Sequence, residues 1–323
     1  MLVETVRGPL ETSQLGVTLM HEHIFVLSPE VQQNYPGKWN EDERVADAVA
    51  QLDALKARGV DTLVDVTVLG LGRDIPRIRR IAAQTTLQIV VATGLYIYND
   101  LPLYFHLRGP GTPFGGPEVM VDMFVRDITE GIAGTGVKAA ILKCTTEADG
   151  LTPGTDRLLR AIARAHRHTG VPITTHTHPA TFRGRDQQRV FSEEGVNLTR
   201  VVIGHSGDSS DRDYLRELMD NGSTIGMDRF GIDFPVPLEE RVNTVAQLCA
   251  AGYADRIILS HDYSCYLDLF DDDVRTAHFP NWSYTHIFDH VLPALEKRGV
   301  TEDQIHQMFV TNPRRIFEHQ GAY

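Results

Sequence analysis

Eight short apolar runs, separated by stretches of helical periodicity, occupy this chain from end to end. They are Val17–His23, Val60–Thr67, Leu87–Thr93, Val137–Cys144, Val171–Thr177, Arg200–His205, Ser223–Asp228 and Arg256–Asp262. Their length and β-branched content suit strands buried on both faces. Between the first two, Glu41 to Arg58 sets Val45, Ala48, Val49, Leu52 and Leu55 on one helical stripe. Asn40 with Glu43 makes a capping start there, and Gly59 a stop. Similar patterns cover roughly 74–84, 117–131, 155–168, 185–195, 211–221 and 238–250. The stretch 284–299 also reads as helical, but Pro293 predicts a kink or a fresh start within it.

Strand–helix alternation repeated eight times predicts a (β/α)8 TIM barrel, with a doubly wound open sheet as the competing arrangement. The 323 residues hold no Ser/Gly tract, charge block or repeat that marks a linker, so one barrel domain over 1–323 is expected. Barrel sites gather where strands end. Here His21 and His23 end the first run, Lys143 the fourth, His176 the fifth, His205 the sixth and Asp262 the eighth. An open sheet leaves its first and last strands apart, whereas barrel closure sets them side by side, so the barrel accounts better for this set.

Charge and composition narrow the partners. The net charge is −12 with scattered basic residues, which argues against nucleic acid or an anionic membrane. No apolar stretch approaches the roughly 18 residues of a spanning helix, and the N-terminus lacks a secretory pattern. Three cysteines without metal-finger spacing point to a reduced, cytoplasmic protein.

Residues two apart on a strand share a face, so the imidazoles of His21 and His23 aim at one spot, as half of a transition-metal site does. His176 and His178 are also two apart, and direction alone does not choose between them. The glycines beside His205 in Ile203-Gly-His-Ser-Gly-Asp208 let backbone pass close to a bound group. Lys143 carries a long amine to a strand end, where burial lowers its pKa or demands a partner. Three outcomes are open: an ion pair with Asp262 or Glu22, a Schiff-base lysine, or a carbamate formed with carbon dioxide. Beside four histidines and an aspartate, the carbamate fits best, because it adds the negative charge that two divalent cations need.

The chain resembles the phosphotriesterase family of the amidohydrolase superfamily, and most closely its phosphotriesterase-like lactonases. The motifs are Gly16-Val-Thr-Leu-Met-His-Glu-His23, Ala92-Thr-Gly-Leu-Tyr96-Ile-Tyr98, Ile141-Leu-Lys143-Cys, Thr175-His176-Thr, Ile203-Gly-His205-Ser-Gly-Asp208, Met227-Asp-Arg229-Phe-Gly and Leu259-Ser-His-Asp262-Tyr. The resemblance implies a binuclear centre. His21, His23 and Asp262 would hold a buried metal, His176 and His205 a more exposed one, and N6-carboxylysine at Lys143 would bridge them. His178 then becomes a neighbour. It implies hydrolysis of N-acyl-homoserine lactones and related lactones by a metal-bridging hydroxide, with Asp262 taking the proton, and promiscuous activity on organophosphate triesters. Tyr96 would position substrate near the bridging water, and Arg229 would sit at the rim of the substrate pocket. Zinc is the expected metal, with cobalt, manganese or iron as alternatives. Homodimers and a quorum-quenching role are implied in the same way. A dedicated phosphotriesterase is the nearest competitor, and a metal-free lyase using Lys143 a more distant one.

Two features lie outside the shared pattern. Ser264-Cys265 follows Asp262-Tyr263 where the family often has two cysteines. The segment Tyr263 to Trp282 is rich in Tyr, Leu and Phe, and so long a connection is usually functional, here as the wall of an apolar channel. The stretch from Tyr96 to Phe105 suits pocket wall or a subunit contact.

Overall fold

A computed structural model describes residues 1–37, 39–318 and 321–323. The first two strands, β1 (Leu2–Thr5) and β2 (Gly8–Glu11), form an antiparallel hairpin. Nine parallel strands follow: β3 (Thr18–Val26), β4 (Thr62–Asp65), β5 (Gln88–Gly94), β6 (Ile141–Thr146), β7 (Ile173–Thr177), β8 (Val201–Ile203), β9 (Thr224–Met227), β10 (Ile257–Leu259) and β11 (Ser264–Leu267). Helices sit in the connections, among them Glu41–Ala57, Ile75–Ala82, Val119–Thr129, Pro153–Thr169, Arg183–Glu193, Arg212–Asp220 and Leu238–Ala250. These seven helices match the sequence patterns to within a few residues at each end, whereas the β1–β2 hairpin and β11 lie outside the eight expected runs. No helix among the described residues is long and apolar enough to cross a membrane.

Strands β3 to β10 lie in sequence order, and β11 pairs with the outer side of β3. That pairing curls the sheet. Flat, β10 and β11 would stand about 38 Å apart, eight spacings of roughly 4.8 Å. The five steps from Leu259 to Ser264 reach at most about 18 Å. The edge at β10 must therefore come round to β3. Backbone bonds cross this seam: Asp262 N–H donates to the His21 carbonyl at 3.1 Å, and His23 N–H to the Tyr263 carbonyl at 2.8 Å. The His21 N–H adds a bond to Ser260 Oγ at 3.1 Å.

Three local departures from the sequence reading have clear causes. Strand β3 runs on to Val26 instead of ending at His23, because β11 supplies ladder partners for His23, Phe25 and Val26. The ladders of β8 and β10 stop at Ile203 and Leu259, short of the predicted ends, because His205 and Asp262 turn the backbone into the left-handed region (φ 56° and 55°). Pro293 leaves the bond it would make to the preceding turn unmade, and the chain passes through a π-helical turn, Ile287–Val291, before Leu292–Glu296. At the helix Glu41–Ala57, Asn40 accepts from the N–H groups of Asp42 and Glu43, as the cap predicts.

Candidate metal centre and pocket

The strand ends bring His21, His23, Lys143, His176, His205 and Asp262 into one cluster. Lys143 Nζ lies 2.7 Å from His21 Nε2. His23 Nε2 lies 3.2 Å and His21 Nε2 3.5 Å from Asp262 Oδ1. His205 Nε2 lies 3.7 Å from Asp262 Oδ2 and 2.9 Å from His176 Nδ1. Lys143, His21 and His205 are buried, and Asp262 is the link between the two sides of the cluster.

Close backbone packing makes this convergence possible. A Cβ on Gly204 would stand 1.9 Å from the Thr175 carbonyl oxygen and 3.2 Å from the His21 ring. A Cβ on Gly94, at φ +141°, would stand 1.9 Å from the Lys143 carbonyl oxygen. The glycines thus admit the neighbouring strands themselves, not only a bound group.

The protonation states follow from the outer partners. Burial lowers the pKa of His21, His176 and His205, so each ring is neutral near pH 7 and carries one N–H. His205 Nδ1 faces Asp228 Oδ1 at 3.0 Å, and His176 Nε2 faces Glu147 Oε1 at 2.9 Å. With protons on those nitrogens, His205 Nε2 and His176 Nδ1 turn lone pairs on each other across 2.9 Å. His21 Nδ1 lies 2.9 Å from Asp228 Oδ2, out of hydrogen-bond alignment, and Lys143 donating to Nε2 leaves the ring proton on Nδ1. Its Nε2 then turns a lone pair toward Lys143 and Asp262.

Imidazole lone pairs facing one another and a carboxylate are the donor set of divalent cations. His21, His23 and Asp262, and likewise His21, His205 and Asp228, offer ligand atoms within 4.8 Å of one another. The first set is the better shaped for a cation. Asp228 is occupied on the far side, where its Oδ1 also accepts the His205 backbone N–H at 2.8 Å. Burial and the nearby Asp262 push the Asp228 carboxyl up, a cost that adjacent cations would remove. The residues present fit a metal centre.

Burial pushes the Lys143 amine down to about 8. A neutral amine is thereby accessible at ordinary pH, as carbamate formation requires. Glu22, the other partner considered for Lys143, is committed elsewhere: it points to the opposite face and accepts from His261 N–H and Nδ1 at 2.8 Å and Tyr263 N–H at 2.9 Å. Asp262 resists the upward push of burial through His205, His23 and Arg229, which hold its carboxyl well below the usual range.

Arg229 pairs with neither Asp228 nor Asp233, the acids nearest to it in the sequence. Its Nε donates to Asp262 Oδ2 and its Nη1 to Asp208 Oδ2, both at 3.0 Å. Tyr96 donates its hydroxyl to Glu147 Oε1 at 2.6 Å, with its ring edge-on to His176. His178 hydrogen-bonds Thr181 outside the cluster, at 3.3 Å.

The cluster opens into a cavity of about 760 Å³. His23, Tyr96, His176, Arg229 and Asp262 line it together with Leu267, Leu269, Phe270, Phe279 and Trp282. The segment after Asp262 does form apolar wall, though Tyr263 and Tyr266 do not take part. Tyr263 stacks against Trp282 and Tyr284, and Tyr266 against Trp39 under the Arg44 guanidinium. Ser264 also lines the cavity, its buried hydroxyl without a hydrogen-bond partner among the described residues.

Glu147, Asp228 and Thr67 escaped the sequence reading. Thr67 Oγ1 lies 2.8 Å from His23 Nδ1 and fixes that ring. Asp228 ends the seventh apolar run, so the strand-end rule already pointed to it. Glu147 stands four residues beyond Lys143 and shares its face by strand alternation.

Residues 1–317 match the model of the phosphotriesterase family. A phosphotriesterase homology protein of Mycobacterium tuberculosis is 60% identical over 322 residues, covering 99% of each chain. The solved structure described as the phosphotriesterase from Mycobacterium tuberculosis superposes with a TM-score of 0.99, at 60% identity over 100% of both chains. An aryldialkylphosphatase of Saccharolobus solfataricus is 39% identical across 96% of this chain and 98% of its own. A structure titled for engineering organophosphate hydrolysis from a weak promiscuous lactonase template matches with a TM-score of 0.90 and 34% identity, covering 98% of this chain and 100% of that one. The fold, the clustered strand-end residues and these likenesses agree: the chain belongs to the phosphotriesterase family of hydrolases.

Proposed function

We propose that this hydrolase opens lactones with apolar tails, N-acyl-homoserine lactones foremost, and acts more slowly on organophosphate triesters. In this reading the curled sheet is a (β/α)8 barrel forming a single domain. His21, His23 and Asp262 would hold one divalent cation and His176 and His205 a second, with Lys143, as N6-carboxylysine, adding an anionic oxygen donor. The carbamate forms when the neutral amine adds carbon dioxide and releases a proton. Zinc suits the imidazole and oxygen donors. Bound there, the cations supply Lewis acidity and lower the pKa of water.

The chain's own groups do the rest. Asp262 is ionised across the neutral range, so it takes a proton at a carboxylate oxygen and delivers it to the leaving alkoxide. Arg229 holds that carboxylate in place from the pocket side. Tyr96 lines the cavity beside His176 and orients the lactone ring. Ring opening yields a hydroxy acid, which removes a lactone signal.

One observation carries the substrate class: the cavity joins the polar cluster to the apolar wall of Leu267, Phe270 and Phe279. The test is kcat/KM for a long-chain acyl-homoserine lactone against paraoxon, before and after chelation. The lactone should be preferred, and chelation should remove both activities. Asp262→Asn should cost about 100- to 10,000-fold in kcat/KM. A large preference for paraoxon would favour a dedicated phosphotriesterase, the reading supported by the aryldialkylphosphatase relative.

A second copy of the chain is proposed to cover Tyr98, Leu103, Tyr104 and Phe114, large apolar side chains exposed in one stretch. Sedimentation of the protein should then report a dimer, and a monomer would refute it.

A further inference from the structure

Glu147 belongs to neither the proposed ligand set nor the proposed proton path, yet it joins two of their members. Its Oε1 receives the Tyr96 hydroxyl at 2.6 Å and faces His176 Nε2 at 2.9 Å. Its side chain is about nine-tenths shielded from solvent. A carboxylate accepts and cannot donate, so both partners must turn protons toward it. For His176 this fixes the tautomer: the proton sits on Nε2, and Nδ1 is left as a lone pair aimed at His205 Nε2. For Tyr96 it fixes the rotor: the proton is spent on Glu147, and the phenol turns oxygen lone pairs to the rest of the cavity.

We propose that Glu147 is a positioning residue that sets the His176 tautomer for cation binding and, through the same oxygen, locks the Tyr96 hydroxyl as an acceptor. The proposal rests on the reading that His176 and His205 hold a cation. No other carboxylate among the described residues pairs with His176. The neighbouring histidines have separate outer partners, Asp228 for His205 and Thr67 for His23. Loss of Glu147 therefore falls on one side of the centre. In Glu147→Gln the amide offers one oxygen for two donors. Its NH2 group donates, which favours a proton on the wrong nitrogen of His176. Partners of this kind tune metal affinity by about 10- to 100-fold.

The test compares wild type, Glu147→Gln and Tyr96→Phe, each loaded with zinc and dialysed against graded chelator, with zinc per chain read by elemental analysis. In Glu147→Gln one zinc should be lost at about 10- to 100-fold lower chelator while the other is retained as in wild type. Tyr96→Phe keeps the carboxylate on His176 and should retain both zincs as wild type does. Metal-free Glu147→Gln should melt within about 2 °C of metal-free wild type, which separates positioning from a merely structural role. In the metal-free wild type, ¹⁵N shifts of His176 should show Nδ1 unprotonated, and the variant should show a mixture. Unchanged zinc retention in Glu147→Gln, equal loss of both zincs, or a drop in melting temperature of the metal-free variant that accounts for the loss would each overturn the proposal. Wild-type protein that holds no zinc would overturn the functional reading itself, an outcome visible before any variant is compared.

Discussion

Arg229 Nε donates to Asp262 Oδ2 at 3.0 Å, so the carboxylate that joins both sides of the cluster is steered by a cation at the pocket wall. The same guanidinium reaches Asp208, which the buried Arg241 holds at 2.6 Å. Only a planar fork spans both carboxylates at once. Arg229→Lys keeps the charge and loses the span. We expect kcat/KM to fall about 10- to 100-fold, as a misoriented general base would cause, with little change in melting temperature. An unchanged kcat/KM would show that Asp262 needs no such brace.

Phe270 stands half-buried on the apolar side of the cavity, its ring 5.9 Å from that of Phe279. Phe270→Ala should remove about 1–2 kcal/mol of tail burial, or roughly five- to thirty-fold in kcat/KM. The loss should appear for lactones with long acyl chains and be small for γ-butyrolactone. Equal losses for both would place the tail elsewhere.

Gly204 packs directly against the backbone of the neighbouring strand beside the cluster. An alanine there would drive its methyl into the Thr175 carbonyl, 1.9 Å away, and β7 and β8 would have to part. Overpacking of this kind costs about 1–3 kcal/mol. Gly204→Ala should unfold at clearly lower denaturant than wild type, and an unchanged midpoint would contradict the tight passage between β7 and β8.

Burial pushes the Cys265 thiol up to about 12 from 9.0. In the unfolded chain the thiol ionises as pH rises past 9, while in the folded chain it keeps its proton. The unfolded state thus binds fewer protons between these values, and stability falls as pH rises. Cys265 alone accounts for about 1.4 kcal/mol of loss between pH 8 and pH 10. Urea melts at both values should show Cys265→Ala losing about that much less than wild type. The same loss in both proteins would place the alkaline sensitivity in other groups.

Much of this centre was legible as residues at the ends of apolar runs. His21, His23, Lys143, His176, His205 and Asp262 all lie within the cluster, because strand alternation and the polarity of strand ends are local rules that a linear sequence carries. Glu147 and Thr67 were harder to read: Glu147 follows the alternation of Lys143 and Thr67 ends the second apolar run, but the histidine each serves lies dozens of residues away. Glu22 was misassigned as a candidate for Lys143 for a related reason. Its neighbours in sequence are His21 and His23, but alternation turns it away from them and onto His261 and Tyr263 across the seam.

The sequence by itself determined the order of strands and helices and the chemistry available at the strand ends, because hydrophobic periodicity and residue type act over a few positions. Tertiary structure decided which proton sits on which nitrogen and which carboxylate serves which histidine. Glu147 meets His176, Asp228 meets His205, and Arg229 bridges Asp262 to Asp208 because neighbouring strands end side by side, while Asp228 meets His21 because the curled sheet brings β3 round to the far strands. These pairings depend on separations of about 3 Å between residues far apart in the chain, and only the packing of strand against strand sets such distances.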